Sequence, residues 1–261
     1  MGAVKNAQQE MSFLEHLEEL RWHIMKIVLG LILAAAACGI FAKVIVEGIL
    51  LAPLLKVGLK PQVLAPYGIV LLYMQAMLIG GLILSMPNTL YWLWKFVAPG
   101  LLPKERRYIS AIVAFTSLCF FSGVAFGYFI LVPTALDFFA GFGTDSIDLN
   151  VSTDRYVSFF LALIFGSGLV FELPMVTYFL SKMGILTPAF MRHYRRHSYV
   201  GILIISAVIT PSPDALTQLL LAGPMVLLYE VSIFISKFVN NRRERAAAND
   251  ENTGHDKDDR S

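Results

Sequence analysis

Long apolar runs separated by short polar connections set the pattern of this chain. The runs at 24–41, 69–94, 108–132 and 156–181 each match a bilayer crossing, for which roughly 17–25 apolar residues at about 1.5 Å apiece suffice as helix. A fifth run, 199–210, would reach only about 18 Å as a helix, so it must thin the bilayer locally or lie partly embedded. The sixth run, 215–236, carries Glu230, so its uncharged part is short as well. Pro87 should kink the second run, because it removes one helical hydrogen bond, and Pro174 leaves the Val170 carbonyl of the fourth run without its helical donor, which adds a polar spot there. The alanine run 34–37 and Gly123-x-x-x-Gly127 supply the small residues that let membrane helices approach closely, although such glycines are common in membrane helices.

The polar stretches have their own patterns. At 12–21, Ser12 and Glu15 have capping-box spacing, Phe13, Leu14, Leu17 and Leu20 share one helical face, and Glu15, Glu18 and Glu19 line the other. This predicts an acidic amphipathic helix just before the first span, either a binding surface or a solvated interfacial helix whose carboxylates only keep it out of the bilayer. Stretch 42–68 mixes Lys43, Glu47, Lys56 and Lys60 with Pro53, Pro61 and Pro66, so it reads as an external cap with short helical pieces. Leu50, Leu51, Leu54 and Leu55 are expected to pack on the bundle. Residues 98–107 form a tight polar connection, 133–155 a second external segment, and 182–197 a basic one. The tail from Lys237 is polar and charged, which predicts disorder. The expected organisation is a single membrane domain over 1–238 and a disordered tail over 239–261.

Composition agrees with an all-α polytopic membrane protein: 56% of residues are hydrophobic, 15% are charged, and the mean hydropathy is +0.64. Basic residues set the orientation. With a cytoplasmic N-terminus, that side gains Lys5, Arg21, Lys26, Lys95, Lys104, Arg106, Arg107, Lys182, Arg192, Arg195 and Arg196, against Lys43, Lys56, Lys60 and Arg155 outside. Six spans with both termini inside is preferred, and the competing topology makes runs five and six a re-entrant hairpin. Residues 1–10 are polar, so no cleaved signal peptide is expected. Cys38 and Cys119 lie in apolar runs and read as small buried hydrophobes, not a disulfide.

Glu172 is the most unusual residue, a carboxylate deep in an otherwise uncharged span. Burying a charge at mid-bilayer costs about 2.5–3.5 kcal/mol on insertion scales, so it must face the bundle or a watery cavity. Its roles remain open between proton carrier, polar contact for a guest segment and structural carboxyl. Glu105 lies among Lys104, Arg106 and Arg107, which suggests local charge balance, yet it shares a membrane face with Glu18 and Glu19. Carboxylates gathered at one interface can receive guanidinium groups in bidentate pairs. His193 and His197 have metal-ligand spacing, but the surrounding Arg192, Arg195 and Arg196 would repel a divalent cation, so no metal and no cofactor is expected. No nucleophile elbow, zincin motif or Walker lysine is present, which argues against an enzyme. A small-solute transporter using Glu172 as a proton relay is the main alternative of another class, and no repeat relates the first three spans to the last three.

Four motifs in order resemble the TatC family, the signal-peptide receptor of the twin-arginine translocase. They are Phe13-Leu-Glu-His-Leu-Glu-Glu-Leu-Arg21, Phe96-Val-Ala-Pro-Gly-Leu with Lys104-Glu-Arg-Arg107, Phe171-Glu-Leu-Pro174, and Thr210-Pro-Ser-Pro-Asp214 with Gln218. Around Pro66 the match is looser, since Gly68 and Gln75 stand where more polar or basic residues are expected. The resemblance implies a concave, glove-like six-helix bundle in the bacterial cytoplasmic (inner) membrane. It also implies binding of twin-arginine signal peptides of folded cargo, assembly with TatA- and TatB-like single-span partners, self-association in the receptor complex, and export driven by the proton-motive force, without nucleic acid. On the same basis, Glu19 and Glu105 match the carboxylates that receive the arginine pair. Glu172 matches an intramembrane polar site, and Thr210 and Gln218 match a polar patch where partner helices dock.

Overall fold

The computed structural model describes residues 13–97, 109–141, 150–210 and 215–258, with side chains over 17–96, 109–141, 151–210 and 215–242. Helix α1, Phe13–Ile40, is unbroken. The acidic stretch is therefore not a separate element but the first turns of the first span, because nothing between Leu20 and Ile24 is a helix breaker. Ser12 and the Glu15 side chain lie outside the described residues.

A compact cap follows: α2, Ala42–Val44, a π-helical turn Ile45–Leu50, α3, Ala52–Lys56, and strand β1, Lys60–Gln62. Leu50 and Leu54 are buried and Leu51 packs against the core, whereas Leu55 is 55% exposed, so three of the four cap leucines face inward. The second span is α4, Gly68–Leu84, and α5, Met86–Val97, bent by 47° at Ser85. Pro87 causes the bend, and Ser85 helps by turning its hydroxyl to the Leu82 carbonyl at 3.1 Å. α1 packs on α4 so closely that a Cβ on Gly81 would lie 2.5 Å from the Ala35 Cα. The alanine run and Gly81 thus make one small-residue seam.

The third span is longer than the apolar pattern indicates. α6, Ile109–Phe126, a π-helical turn Gly127–Leu131, and α7, Val132–Ala140, form one continuous rod. Pro133 does not end it, because proline sits in the first turn of α7 where no helical donor is required, and the π turn before it absorbs the mismatch. Residues 133–140, expected in an external segment, are therefore helix. Strand β2, Asn150–Ser152, pairs in parallel with β1, Lys60 opposite Asn150 and Gln62 opposite Ser152.

The fourth span is α8, Thr153–Val170, and α9, Leu173–Lys182, with the break at Phe171 and Glu172. It is the best-buried helix, and α6 lies against it at the glycine motif: a Cβ on Gly123 would be 2.6 Å from the Ser167 carbonyl oxygen. Ser167 Oγ donates to the Gly123 carbonyl at 2.8 Å across that seam. The fifth helix is genuinely short. α10, Pro188–His193, is capped by the Thr187 hydroxyl, and α11, Arg195–Ile209, has 15 residues.

α12, Ala215–Asp258, differs from the short sixth helix and disordered tail expected from the pattern, because it has 44 residues and its backbone stays helical through the polar end. Glu230 is accommodated by pairing, and Ala246, Ala247 and Ala248 favour helix beyond the span. Among the described residues, four helices are long and apolar enough to cross a membrane, and the bent pair α4 and α5, counted as one span, would be a fifth. The principal core joins the cap, α8, the α6–α7 rod and α12 around Leu54, Leu131, Val157 and Leu163.

Candidate functional site

The acidic end of α1 meets the end of α5. Glu19 is half-buried, Glu18 is exposed, and His23, one turn on, is 5% exposed. His23 Nδ1 lies 2.8 Å from the Glu19 carbonyl oxygen and donates to it, which orients the imidazole between Trp92 and Phe96, at ring separations of 5.3 and 6.2 Å. Trp92 is itself fixed by its Nε1 bond to Asn88 Oδ1 (3.0 Å), and Asn88 reaches the Lys26 carbonyl (3.4 Å). Lys26 and Lys95 place their ammonium groups 4.3 and 5.0 Å from the Trp92 ring centre. Glu105 lies outside the described residues, in the connection between α5 and α6. Two elements that carry this face, α1 and α5, are thus held together, and the second candidate carboxylate follows in sequence from α5.

Glu172 occupies the break between α8 and α9. Pro174 in the first turn of α9 withdraws a donor, and the Glu172 carbonyl accepts from both Met175 and Val176 at 3.0 Å. Its side chain is 9% exposed, and Oε1 has no hydrogen-bond partner among the described residues. The face that Glu172 begins on α9 continues through Met175 and Phe179 into a second core cluster with Leu90 and Trp94 of α5 and Val113 and Phe120 of α6. Trp94 Nε1 of this cluster, and Ser117 Oγ between Val113 and Phe120 on α6, are also buried without a hydrogen-bond partner among the described residues. Sequence alone singles out neither: Trp94, at the end of the second apolar run and followed by Lys95, has the place of an interfacial aromatic, but it turns inward onto Phe179, 4.7 Å between ring centres. Three polar groups on three elements therefore stand in an apolar setting, each able to take a further donor or acceptor.

Thr210 and Gln218 lie on either side of the connection between α11 and α12. Thr210 is 5% exposed and donates to the Ser206 carbonyl at 2.8 Å, and Gln218 Nε2 donates to the Leu203 carbonyl at 3.0 Å. Both side chains bond to the α11 backbone. At the other end of this hairpin, Glu230 of α12 accepts from Arg195 and from Tyr199 of α11, while Tyr229 links Ser198 to the Met191 carbonyl. Sequence reasoning had no signal for this cluster, since Glu230 and Arg195 are 35 residues apart.

The structure separates the two histidines that had metal-ligand spacing. A break at Tyr194 puts His193 at the end of α10 and His197 in α11, and both rings pack on Tyr194. Among the described residues, no group of three or more metal-ligating side chains assembles. Beneath the cap, α1, α4, α6 and α8 enclose an apolar recess of about 680 Å³, lined by Cys38, Phe41, Ala76, Phe129 and Ile164 among others.

Comparison with known proteins agrees with this architecture. Residues 15–224 match the family described as Sec-independent protein translocase protein (TatC). A TatC protein of Helicobacter pylori is 38% identical over 86% of this chain and 88% of its own length. One of Carboxydothermus hydrogenoformans is 34% identical over 88% and 94%. A crystal structure of the twin arginine translocase receptor TatC superposes with a TM-score of 0.78 at 35% identity, covering 86% of this chain and 99% of that one. With the fold, the order of helices and the sequence in agreement over most of its length, the chain belongs to the TatC family of Sec-independent protein translocase proteins and is a multi-pass membrane protein.

Proposed function

We propose that this protein is the signal-peptide receptor and core subunit of a twin-arginine translocase. It lies in the bacterial cytoplasmic membrane with six spans and both termini inside, the short α11 and the first part of α12 being the last two. Glu19 and Glu105 receive the consecutive arginines of a signal peptide as bidentate ion pairs, which suit guanidinium better than ammonium. The protein breaks no bond. It holds the signal while TatA- and TatB-like single-span subunits assemble, in part on the polar patch of Thr210 and Gln218, and the proton-motive force drives folded cargo across. Glu172 supplies a polar contact within the bundle for an inserted segment.

The observation that carries this reading is the joint between α1 and α5: Glu19 sits half-buried beside an element that runs directly into the connection bearing Glu105. Partial exclusion of water there strengthens a charge-assisted hydrogen bond to about 1.5–3 kcal/mol. The likeness to a structure named as the twin arginine translocase receptor supports it further. Crosslinking a labelled Arg-Arg signal peptide to the protein in membranes is the test. Glu19→Ala and Glu105→Ala should each lower the yield while the protein stays inserted. Undiminished crosslinking to the double variant would exclude these carboxylates as the arginine site.

A further inference from the structure

We infer that His23 is a positioning residue for the signal-peptide site: it clamps the Glu19 end of α1 to α5. This rests on the proposed receptor function and adds to it a residue outside the arginine-binding carboxylates.

The burial pattern of α1 carries the inference. From Leu17 to Ala34 every side chain is exposed or half-buried except one, and that one is His23, at 5%. The far half of α1 is secured independently, where Gly80 and Gly81 of α4 admit Cys38 and Ala35. The near half meets α5 at His23, at Lys26 over the Trp92 ring and at Gly30 against Asn88, and of these His23 is the one buried side chain. Trp22, Ile24, Met25, Val28 and Leu29 are all about half exposed and face away from the bundle. The aromatic contact with α5 is made by His23 against Trp92 and Phe96, supported one turn on by Lys26, whose ammonium lies over Trp92 and whose carbonyl accepts the longer Asn88 bond.

The geometry of His23 suits this task. Its Nδ1–H bond to the Glu19 carbonyl fixes the ring orientation from the same turn that carries the Glu19 side chain. Trp92 cannot swing away, because Asn88 holds its indole N–H and Lys26 and Lys95 lie over its ring. Displacing the imidazole would therefore release the α1 turn bearing Glu19 from the element that leads to Glu105. A bidentate site tolerates errors of only about 0.5 Å before it stops discriminating.

The test uses the full chain in lipid nanodiscs, with His23→Ala and His23→Phe compared with Glu19→Ala. Spin labels at the exposed positions 17 and 93 report the α1–α5 separation, and a signal peptide is offered with Arg-Arg or with Lys-Lys. His23→Ala should broaden the separation and weaken Arg-Arg binding by about tenfold, worth about 1.4 kcal/mol, with a much smaller effect on Lys-Lys, so that the preference between them collapses. His23→Phe keeps a ring between Trp92 and Phe96 and should restore most of both. An unchanged separation in His23→Ala, or equal losses for both peptides, overturns the clamp. A broadened separation with Arg-Arg binding intact in both His23→Ala and Glu19→Ala leaves the joint standing and sinks the receptor site itself.

Discussion

Ser181 of α9 and Ser236 of α12 meet hydroxyl to hydroxyl at 2.8 Å, both almost wholly buried, and so join the two helices inside the bundle. A lone hydroxyl left there would fall back on its own helix, so interhelical bonds of this kind contribute about 0.6 kcal/mol and at most about 1.7. Ser181→Ala and Ser236→Ala should each lower unfolding stability in mixed micelles by about that amount, and the double variant by less than the sum. Strictly additive losses would show that the two hydroxyls act separately.

The α6–α8 seam is the place where added volume should hurt most. A methyl group at position 123 would press on the Ser167 carbonyl and on Gly168 and Phe171, two of these on the backbone of α8, which cannot swing aside. Gly123→Ala should cost about 1–3 kcal/mol through overpacking. Ser167→Ala, which removes only a hydroxyl at the same seam, should cost less. A thermal unfolding series in detergent that reverses this order would contradict the close approach.

Arg195 and Glu230 tie the short fifth helix to the sixth, with Tyr199 sharing the same carboxylate. Removing either partner should lower the thermal stability of the protein in detergent, because the other charge is left at the edge of an apolar surface. The reversed pair, Arg195→Glu with Glu230→Arg, should recover part of that loss. No recovery would mean that Tyr199 and the backbone geometry, not the charge pair, hold the hairpin.

Glu172→Gln tests the role of the buried carboxyl. As a polar contact, it should leave export partly active and signal-peptide binding intact, because an amide still offers a donor and an acceptor. Complete loss of export with binding intact would instead make proton transfer at Glu172 obligatory. Trp94→Phe and Ser117→Ala, which remove the other two buried polar atoms of that cluster, should alter export in the same direction as Glu172→Gln if the three form one polar site.

Hydropathy located the four helices long and apolar enough to cross a membrane and the bent α4–α5 pair, and the proline rule located the break at Ser85 before Pro87, whereas at Pro174 it marked a lost donor and not the break at Phe171 and Glu172. Element ends were less legible. A proline in the first turn of a helix is harmless, so Pro133 looked like a stop and is not one. The acidic stretch reads as its own helix because its polarity changes at the membrane, although its backbone does not. Direction around a helix was the other blind spot. Trp92 and Trp94 are two residues apart and look alike as aromatics near the end of an apolar run, yet one faces α1 and its Lys26 while the other points into the bundle at Phe179. Pairings between distant positions, Arg195 with Glu230 and His23 with Trp92, depend on tertiary contact and leave no local trace. Glu105 lies outside the described residues, so its part in the site rests on sequence.

The short parallel pairing of Lys60–Gln62 with Asn150–Ser152 has a topological consequence. It closes the chain on itself around the second and third crossings, and Thr153 Oγ1 to the Gln62 carbonyl (3.0 Å) and Tyr156 OH to the Leu50 carbonyl (2.7 Å) lock the closure. The first four crossings are cinched at that membrane face like stems in a tied sheaf. Any spreading between them must then pivot about the knot and show itself at the opposite face, where Glu19 and His23 meet α5.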